Sequence, residues 1–278
     1  MIKFEGHFIG RRYPFFLIAG PCVIEDRDQS IAVARHLKTL GEELGILVVF
    51  KSSFDKANRT VGSSFRGPGM KAGLKILADI KDMVGLPVLT DIHLPAQAGP
   101  VGEVVDAIQI PAFLCRQTDL LEAAGKTNKI INIKKGQFAS PREMVAAAEK
   151  VRSAGGDSVM LCERGTTFGY HNLVVDMRSL DVMAQSNYPV IFDATHSVQL
   201  PASQGYQSGG QREYVPVLAR AAVAVGIAGL FMEVHPNPEN ALSDGPNAWP
   251  LELLDDLIRN LQELDVLVKA SVPSKIDV

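Results

Sequence analysis

Side chains that could bind ligands or move protons stand directly after short apolar runs in this sequence. One example is the stretch Asp193-Ala-Thr-His-Ser-Val-Gln199, which follows four apolar residues. The polar residues at the ends of all such runs are Cys22, Glu25, Lys51, Ser53, Asp91, His93, Gln109, Lys134, Lys135, Gln137, Glu163, Arg164, Asp193, His196, Glu233 and His235. A single polar strand end is usually a helix cap, but so many in one chain favour a functional surface.

Basic residues near these ends predict a small anionic substrate. The set comprises Lys51, Lys56, Arg59, Lys134, Lys135 and Arg164. Phosphate and carboxylate groups require charge-assisted donors, and arginine adds bidentate geometry. Gly136 and Gly165 could let backbone N–H groups approach the same anion. Solvated surface lysines are the alternative interpretation, which the apolar residues flanking these positions disfavour.

A second group has the chemistry of metal ligands. Cys22, His196 and Glu233 follow the first, seventh and eighth apolar runs, and Asp244 lies in the loop after the last of them. A cysteine, histidine and carboxylate set suits a divalent transition ion such as Zn²⁺, Fe²⁺ or Mn²⁺. No short spacing motif joins the four residues, and Cys22 alone could be a small buried apolar side chain.

The elements that must position these residues follow from the hydrophobic pattern. Continuous apolar runs are typical of parallel strands buried on both faces. They cover residues 15–22, 47–53, 87–93, 106–112, 130–136, 158–165, 189–196 and 230–236. Together with the helical patterns between them, they predict an α/β fold of the (β/α)₈ TIM barrel type. An open, doubly wound sheet is the alternative.

Three of the intervening segments carry clear helix signals. Residues 141–156 begin with a proline and end in two glycines. Residues 212–229 contain Pro216, which should mark the first turn or a kink, and residues 251–270 predict a final helix. A short strand or hairpin is expected before the barrel, and we expect residues 1–278 to form a single barrel domain.

Composition excludes several classes of protein. The chain has 278 residues, 46% of them hydrophobic, and a formal net charge of −3, so no basic field indicates nucleic acid. Three cysteines fit a reducing compartment better than a disulfide framework. The sequence contains no apolar run of about 18 residues and no signal-peptide core, so we expect a cytoplasmic protein without a membrane partner.

Two long segments rich in polar residues and glycine are candidates for lids over the site. They cover residues 54–68 and 197–212. Long loops of this kind in compact domains often close over a ligand, although surface disorder is the alternative.

Seven strings, read in order, resemble the 3-deoxy-D-manno-octulosonate 8-phosphate (KDO-8-phosphate) synthase family. They are IAGPCVIE, FKSSFDKANRT, IQIPAFLCRQTDLL, NIKKGQF, CERGTTFGYHNLVVD, FDATHSVQLP and FMEVHPNPENALSDGP. The resemblance extends from about residue 15 to about residue 255, nearly the whole chain.

The resemblance implies a transferase of lipopolysaccharide synthesis. Members condense phosphoenolpyruvate with D-arabinose 5-phosphate and water, and release 3-deoxy-D-manno-octulosonate 8-phosphate and inorganic phosphate. They are (β/α)₈ barrels and often homotetramers. The implied partners are therefore the two small-molecule substrates and further copies of the chain.

The resemblance also implies roles for individual residues. Lys134 and Arg164 would hold the phosphate of phosphoenolpyruvate, and Lys56 would lie near its carboxylate. Arg116 would reach the site of a neighbouring subunit. The remaining residues expected to bind the substrates are Lys51, Ser53, Gln109, Gln137 and Gln199 around phosphoenolpyruvate or nearby, and Asn58, Arg59 and Thr60 on the sugar phosphate.

The same resemblance bears on the metal. Members that do not need metal typically carry asparagine at the position of Cys22, so the cysteine, with His196, Glu233 and Asp244, implies a divalent metal cofactor. Two features depart from the usual pattern. Thr60-Val61 replaces Ser-Ser, and Gly245-Pro246-Asn247 is more usual in the metal-independent type.

For catalysis we expect Lys56 to give a proton to the forming alkoxide, with Asp91, His93 and His196 as other candidates for proton movement. Two alternative functions remain at this point. One is a related barrel synthase that uses erythrose 4-phosphate, against which the Lys56–Arg59 string argues. The other is a sugar-phosphate-binding regulator without catalytic activity.

Overall fold

Eight parallel strands form a closed barrel, as the sequence predicts. The computed structural model describes residues 2–59, 61–201 and 209–271. The barrel strands, in chain order, are β1 Phe16–Gly20, β2 Val48–Lys51, β3 Val88–Asp91, β4 Ala107–Ile110, β5 Ile130–Lys134, β6 Val159–Glu163, β7 Val190–Asp193 and β8 Gly229–His235. Each strand pairs with its neighbour in sequence, and β8 pairs with both β7 and β1, which closes the barrel. An open sheet is therefore excluded.

Helices follow each strand and cover the outside of the barrel. They are α1 Arg27–Leu44, α2 Met70–Val84, α3 Ala98–Gly102, α4 Thr118–Gly125, α5 Pro141–Ser153, α6 Arg178–Ala184, α7 Val215–Val225 and α8 Leu254–Ala270. Short 3₁₀ turns precede several of them, such as Arg212–Tyr214 before α7. No helix among the described residues is long and apolar enough to cross a membrane.

The helix boundaries follow from local chemistry. Ser140 caps α5 by accepting a hydrogen bond from the backbone of Glu143, whose side chain bonds back to Ser140, with Pro141 in the first turn. Pro216 likewise lies in the first turn of α7 and does not kink it, and Gly226 ends that helix with φ +90°. The three helices predicted from sequence are thus confirmed.

The predicted N-terminal hairpin closes the lower end of the barrel. Its strands are Ile2–Phe4 and His7–Ile9. The hairpin contributes to an apolar cluster through the buried side chains of Ile2, Phe4 and Ile9. The cluster also contains inward side chains from the lower halves of the strands and extends up to Phe231. A larger apolar cluster lies between the strands and the helices. Because apolar side chains seal the lower end of the barrel, a ligand would enter from the upper end, where the strands end.

Several further short strands decorate the loops at the upper end. Thr166–Thr167 pairs with Leu173–Val174, and Gln199–Leu200 pairs with Gly209–Gly210. The two candidate lids begin here, but Thr60 and residues 202–208 lie outside the described residues. Lid closure by these segments stays a prediction.

Strands β1 and β2 approach so closely that one position requires glycine. A Cβ atom added to Gly20 would lie 2.1 Å from the carbonyl oxygen of Lys51. We expect Gly20→Ala to lower the free energy of unfolding by about 1–3 kcal/mol, because backbone rather than a flexible side chain must move. Denaturant unfolding measures this. Gly99→Ala in α3 meets no atom within 4 Å and is the control; equal loss in both variants would contradict the expectation.

Candidate functional site

The polar side chains predicted at the strand ends gather at the upper mouth of the barrel. Because parallel strands all end on the same side, residues far apart in sequence become neighbours there. Most of these side chains are buried despite their charge or polarity, namely Lys51, Ser53, Asp91, Gln109, Lys134, Gln137, Arg164, Asp193 and Glu233. Burial of so many ionisable groups is costly, and it is typical of a functional site.

Barrel closure brings the four predicted metal ligands together. Ligand atoms of Cys22, Glu233 and Asp244 all lie within 4.8 Å of one another. His196 is not part of that mutual set, but its Nε2 lies 3.6 Å from Glu233 Oε1 and 3.7 Å from Asp244 Oδ2. The thiol of Cys22 donates to Asp244 Oδ2 at 3.2 Å. Asp244 holds φ +51°, a conformation uncommon outside glycine and often found at functional sites.

This donor set fits a divalent cation. Glu233 Oε2 is buried without a hydrogen-bond partner among the described residues. Burial and the charge of Glu233 raise the pKa of the Cys22 thiol, so a bound metal would displace its proton. Burial would lower the pKa of His196, but the charges of Asp193 and Glu233 raise it. The raised pKa of His196 therefore reports a negative potential that favours a cation, to which Glu233 also contributes at Cys22.

Two lysines lie beside the same carboxylate. Lys51 Nζ is 3.4 Å and Lys56 Nζ 3.8 Å from Glu233 Oε1. Lys51 also donates to the carbonyl of Cys22 at 3.3 Å and to Ser53 Oγ at 3.1 Å. Burial would lower the pKa of Lys56, but Cys22, Glu233 and Asp91 together raise it well above the usual range. Lys56 is therefore an ammonium at neutral pH.

Asp91 and His93 form the wall next to these lysines. Asp91 accepts a hydrogen bond from Ser53 Oγ, and its Oδ2 lies 3.0 Å from His93 Nε2. Burial would raise the pKa of Asp91, but the bond to His93 and the charge of Lys51 hold it far below the usual range. Asp91 is therefore a carboxylate that fixes its neighbours.

Asp193 connects a lysine and a histidine of the site. Lys134 Nζ pairs with Asp193 Oδ2. His196 Nδ1 lies 2.7 Å from the same oxygen, but the angles of this contact are not those of a hydrogen bond. The backbone N–H of His196 donates to Asp193 Oδ1 at 2.9 Å. Lys134 Nζ also lies 3.3 Å from the ring centre of Phe231, the apolar floor of the site. Asp193 thus orients His196 and balances Lys134.

Arg164 follows β6, the strand between those that end in Lys134 and Asp193. Its Nη2 donates to Gln199 Oε1 at 2.9 Å, and Gln199 in turn donates to Asp244 Oδ1 at 3.3 Å. Arg164 Nη1 and Gln137 Oε1 are buried and have no hydrogen-bond partner in the part of the chain that the structure describes. Buried polar atoms are rarely left unsatisfied, so these groups have free capacity for a ligand.

Two residues that support the site were not singled out from the sequence. Asn132 donates through Nδ2 to Gln109 Oε1 at 3.1 Å, which leaves the amide N–H₂ of Gln109 as the group free to donate. The thiol of Cys22 also contacts Ser243 Oγ at 2.9 Å. A polar residue inside the apolar run 130–133 was the available signal for Asn132; Ser243 had none beyond its neighbour Asp244.

Other predicted residues lie apart from this centre. Lys135 is enclosed by backbone carbonyls, and the N–H of Gly165 donates to Glu163, so neither is open to an anion as the sequence suggested. Arg59 is half-buried and donates to the carbonyl of Leu242 at 2.9 Å. Asn58 and Arg116 are exposed, and Arg116 pairs with Glu143 at 3.4 Å. Thr60 lies outside the described residues.

Comparison with known proteins gives one consistent result. The model of the DAHP synthetase I family matches residues 1–270. The chain is 60% identical over 274 residues to 2-dehydro-3-deoxyphosphooctonate aldolase of Bordetella petrii, with 96% of each chain covered. It is 57% identical over 264 residues to the protein of that name from Acidithiobacillus ferrooxidans, covering 95% of this chain and 94% of the other. The Stenotrophomonas maltophilia protein of that name is 56% identical over 268 residues, covering 96% and 97%.

The shared role of Asp193 predicts a large stability effect. Asp193→Ala leaves Lys134 buried without a counter-charge, so we expect a loss of about 3–5 kcal/mol in the free energy of unfolding, measured by denaturant titration. Glu42→Ala, which breaks an exposed pair with Lys38, is the control and should change little. A loss for Asp193→Ala no larger than that of the control would contradict the argument.

Proposed function

Because the chain belongs to the DAHP synthetase I family, we propose that it condenses phosphoenolpyruvate with D-arabinose 5-phosphate and water. The products are 3-deoxy-D-manno-octulosonate 8-phosphate and inorganic phosphate, used in lipopolysaccharide synthesis. The observation that carries the proposal is a set of cationic donors at the barrel mouth, beside a carboxylate and thiol cluster: the buried Lys51, Lys134 and Arg164 and the half-buried Lys56. The relatives named 2-dehydro-3-deoxyphosphooctonate aldolase support it.

The reaction makes and breaks a defined set of bonds. C3 of phosphoenolpyruvate forms a bond to the aldehyde carbon of the sugar, and the aldehyde oxygen takes a proton to become a hydroxyl. Water supplies the oxygen that adds at C2, and the bond between C2 and the phosphate oxygen breaks. Two phosphates and a carboxylate meet in a small volume, so fixed cations are required to offset their repulsion.

Phosphoenolpyruvate would lie between Lys134 and Arg164. Lys134 and the unpartnered Nη1 of Arg164 offer donors for its phosphate, and Gln137 and Gln199 line the same side. Lys51 and Lys56 would face its carboxylate, with Gln109 held by Asn132 so that its N–H₂ donates. Before the substrate arrives, the ion pair with Asp193 keeps Lys134 extended into the site, and the ion pair with Glu233 does the same for Lys51.

The sugar phosphate would bind toward the rim of the barrel. Asn58 and Arg59 belong to the loop after β2, with Thr60 following them in sequence. Arg59 is held near the loop that carries Asp244 by its bond to Leu242. Ser53 and the Asp91–His93 pair border the path between the rim and the Phe231 floor.

One lysine and two histidines are the proposed groups for proton transfer. Lys56 is protonated at neutral pH and lies close to Glu233, so it is the proposed donor to the forming alkoxide. Asp91 keeps His93 in place, and Asp193 does the same for His196, so both histidines are fixed where they could accept or relay a proton.

We also propose a divalent metal cofactor held by Cys22, His196, Glu233 and Asp244. When bound, such an ion supplies a Lewis acid that orients and polarises the aldehyde oxygen or a water. Asp193 orients the imidazole of His196 toward this cluster, and Ser243 contacts the sulfur of Cys22. These contacts fix the donor atoms before a cation binds.

The proposed assembly follows from the family resemblance, and the proposed location follows from the composition of the sequence. The chain would act as one barrel domain in a cytoplasmic homotetramer. Arg116 is exposed at the upper end of the barrel, with a side-chain exposure of 67%, and would reach the site of a neighbouring subunit.

The choice of sugar is a direct test of the function. The purified protein should release inorganic phosphate from phosphoenolpyruvate when D-arabinose 5-phosphate is added, and at least about a hundredfold more slowly with erythrose 4-phosphate, because binding energy from a distal phosphate is lost when it cannot reach its site. A phosphate-release assay with both sugars measures this. A preference for erythrose 4-phosphate would favour the related synthase, and binding without turnover would favour a regulator.

Metal removal tests the cofactor. After treatment with a chelator, activity should fall at least about tenfold and return with Mn²⁺, Zn²⁺ or Fe²⁺. Cys22→Asn should lower the metal content per chain in a loaded sample, whereas Cys115→Ser, which replaces a buried cysteine outside the cluster, should not. Full activity in the stripped protein, or equal metal content in both variants, would argue against the site.

A further inference from the structure

A buried ion pair lies directly behind the residues proposed to hold the phosphate. Lys135 Nζ is 3.4 Å from Glu163 Oε1, and each side chain is about 1% exposed. Their sequence neighbours are Lys134 and Arg164. Adjacent residues at a strand end point to different sides, so one lysine of the Lys134-Lys135 pair reaches the site and the other turns outward.

Glu163 has no free capacity for a substrate. Its Oε1 accepts the backbone N–H of Arg164 at 3.0 Å and that of Gly165 at 2.7 Å. Its Oε2 accepts the hydroxyl of Ser179, at the start of α6. The carboxylate therefore fixes the backbone from which the Arg164 side chain extends.

Lys135 is enclosed in the same way by acceptors from two loops. Its ammonium donates to the carbonyl of Gly165 at 3.1 Å and to Thr166 Oγ1 at 3.0 Å. It also donates to the carbonyls of Gly136 and Ala139, at 3.3 and 3.4 Å. The first two acceptors follow β6 and the last two follow β5, so this side chain connects the loop beside Lys134 with the loop beside Arg164.

Gly165 is held from both sides by this pair. Its N–H bonds to Glu163 and its carbonyl to Lys135, and it holds φ +93°, which favours glycine. A further backbone bond, from Thr167 N–H to the carbonyl of Gln137 at 3.0 Å, joins the two loops one step further out. Hydrogen bonds therefore connect the backbone beside Lys134 with the backbone beside Arg164 at several points.

We propose that Lys135 and Glu163 are positioning residues that set the separation between the Lys134 ammonium and the Arg164 guanidinium. With that separation fixed, both cations contact one phosphate group, that of phosphoenolpyruvate. The inference rests on the proposed function for the identity of the ligand. A buried ion pair contributes little to stability compared with an apolar pair of similar volume, so its positioning effect is the property that distinguishes it.

Glu163→Gln tests the pair with minimal change in shape. The amide keeps one acceptor oxygen but loses the negative charge that pairs with Lys135 and strengthens the bonds to the backbone, so the backbone of Arg164 and Gly165 loses part of its hold. We expect the KM for phosphoenolpyruvate and the Kd for inorganic phosphate, measured by calorimetry, to rise about tenfold or more, the effect typical of losing a supporting partner. The KM for D-arabinose 5-phosphate should stay within about twofold, since that sugar binds at the rim.

The matched control is Asp265→Asn. Asp265 is also a buried carboxylate that pairs with a lysine, Lys269 at 2.6 Å, and accepts a backbone N–H, that of Phe15 at 3.0 Å, but it lies in α8. It should lower the Tm without changing either phosphate constant. A milder variant, Ser179→Ala, removes one bond to Glu163 and should shift the phosphate constants in the same direction by less. It provides the test if Glu163→Gln does not fold.

The results separate the two proposals. Turnover of phosphoenolpyruvate by the parent protein tests the function, and the ratio of phosphate affinities between parent and variant tests the pair even without turnover. The inference would be overturned if the phosphate constants of Glu163→Gln stayed within about twofold of the parent. If Glu163→Gln does not fold, the same criterion applies to Ser179→Ala. A lower Tm without a change in these constants would assign the pair a purely structural role. An equal rise for Asp265→Asn would overturn it as well.

Discussion

Compensation of buried charge governs the upper half of this barrel. Lys51 and Lys134 could not be removed from water singly, because an isolated buried cation is far too costly. Lys51 contacts Glu233, and Lys134 pairs with Asp193. These carboxylates hold the cations in extended, fixed positions that an incoming phosphate or carboxylate can use without reorganisation, which is the arrangement that favours catalysis by preorganised charge.

The register of strand pairing decides which of these charges meet. Glu233 in β8 lies opposite Gly20 in β1, and Asp193 in β7 lies opposite Phe231 in β8. These two pairings place Cys22, from the beginning of the chain, beside Glu233 and His196 from its last third. On the other side of β1, the missing Cβ of Gly20 leaves room for the carbonyl of Lys51 in β2. The metal-type cluster is thus a consequence of how the barrel closes.

At the end of β5 and at the end of β6, two neighbouring residues make different kinds of contact. Lys134 faces the site, whereas Lys135 is surrounded by carbonyl groups. Arg164 reaches Gln199, whereas Glu163 accepts the backbone N–H groups that follow it. One residue of each pair faces the site, and the other contacts the backbone of the loop that carries it. The site is therefore supported from behind by charges as well as by packing.

The sequence alone determined the barrel, the location of three of its helices and the strand ends that carry polar residues. These features depend on local signals, such as apolar runs, Pro216 in a first turn and the glycine that ends α7. The long strings of the sequence indicate the family that they resemble. Only the tertiary structure decided which side chains contact each other within the site. Lys134 and Lys135 are identical in type and adjacent, and Asn132 stands out only weakly, so their roles depend on which acceptors lie across the strands. Those partners are 23 and 30 residues away in the chain, and their contact is set by folding rather than by sequence spacing.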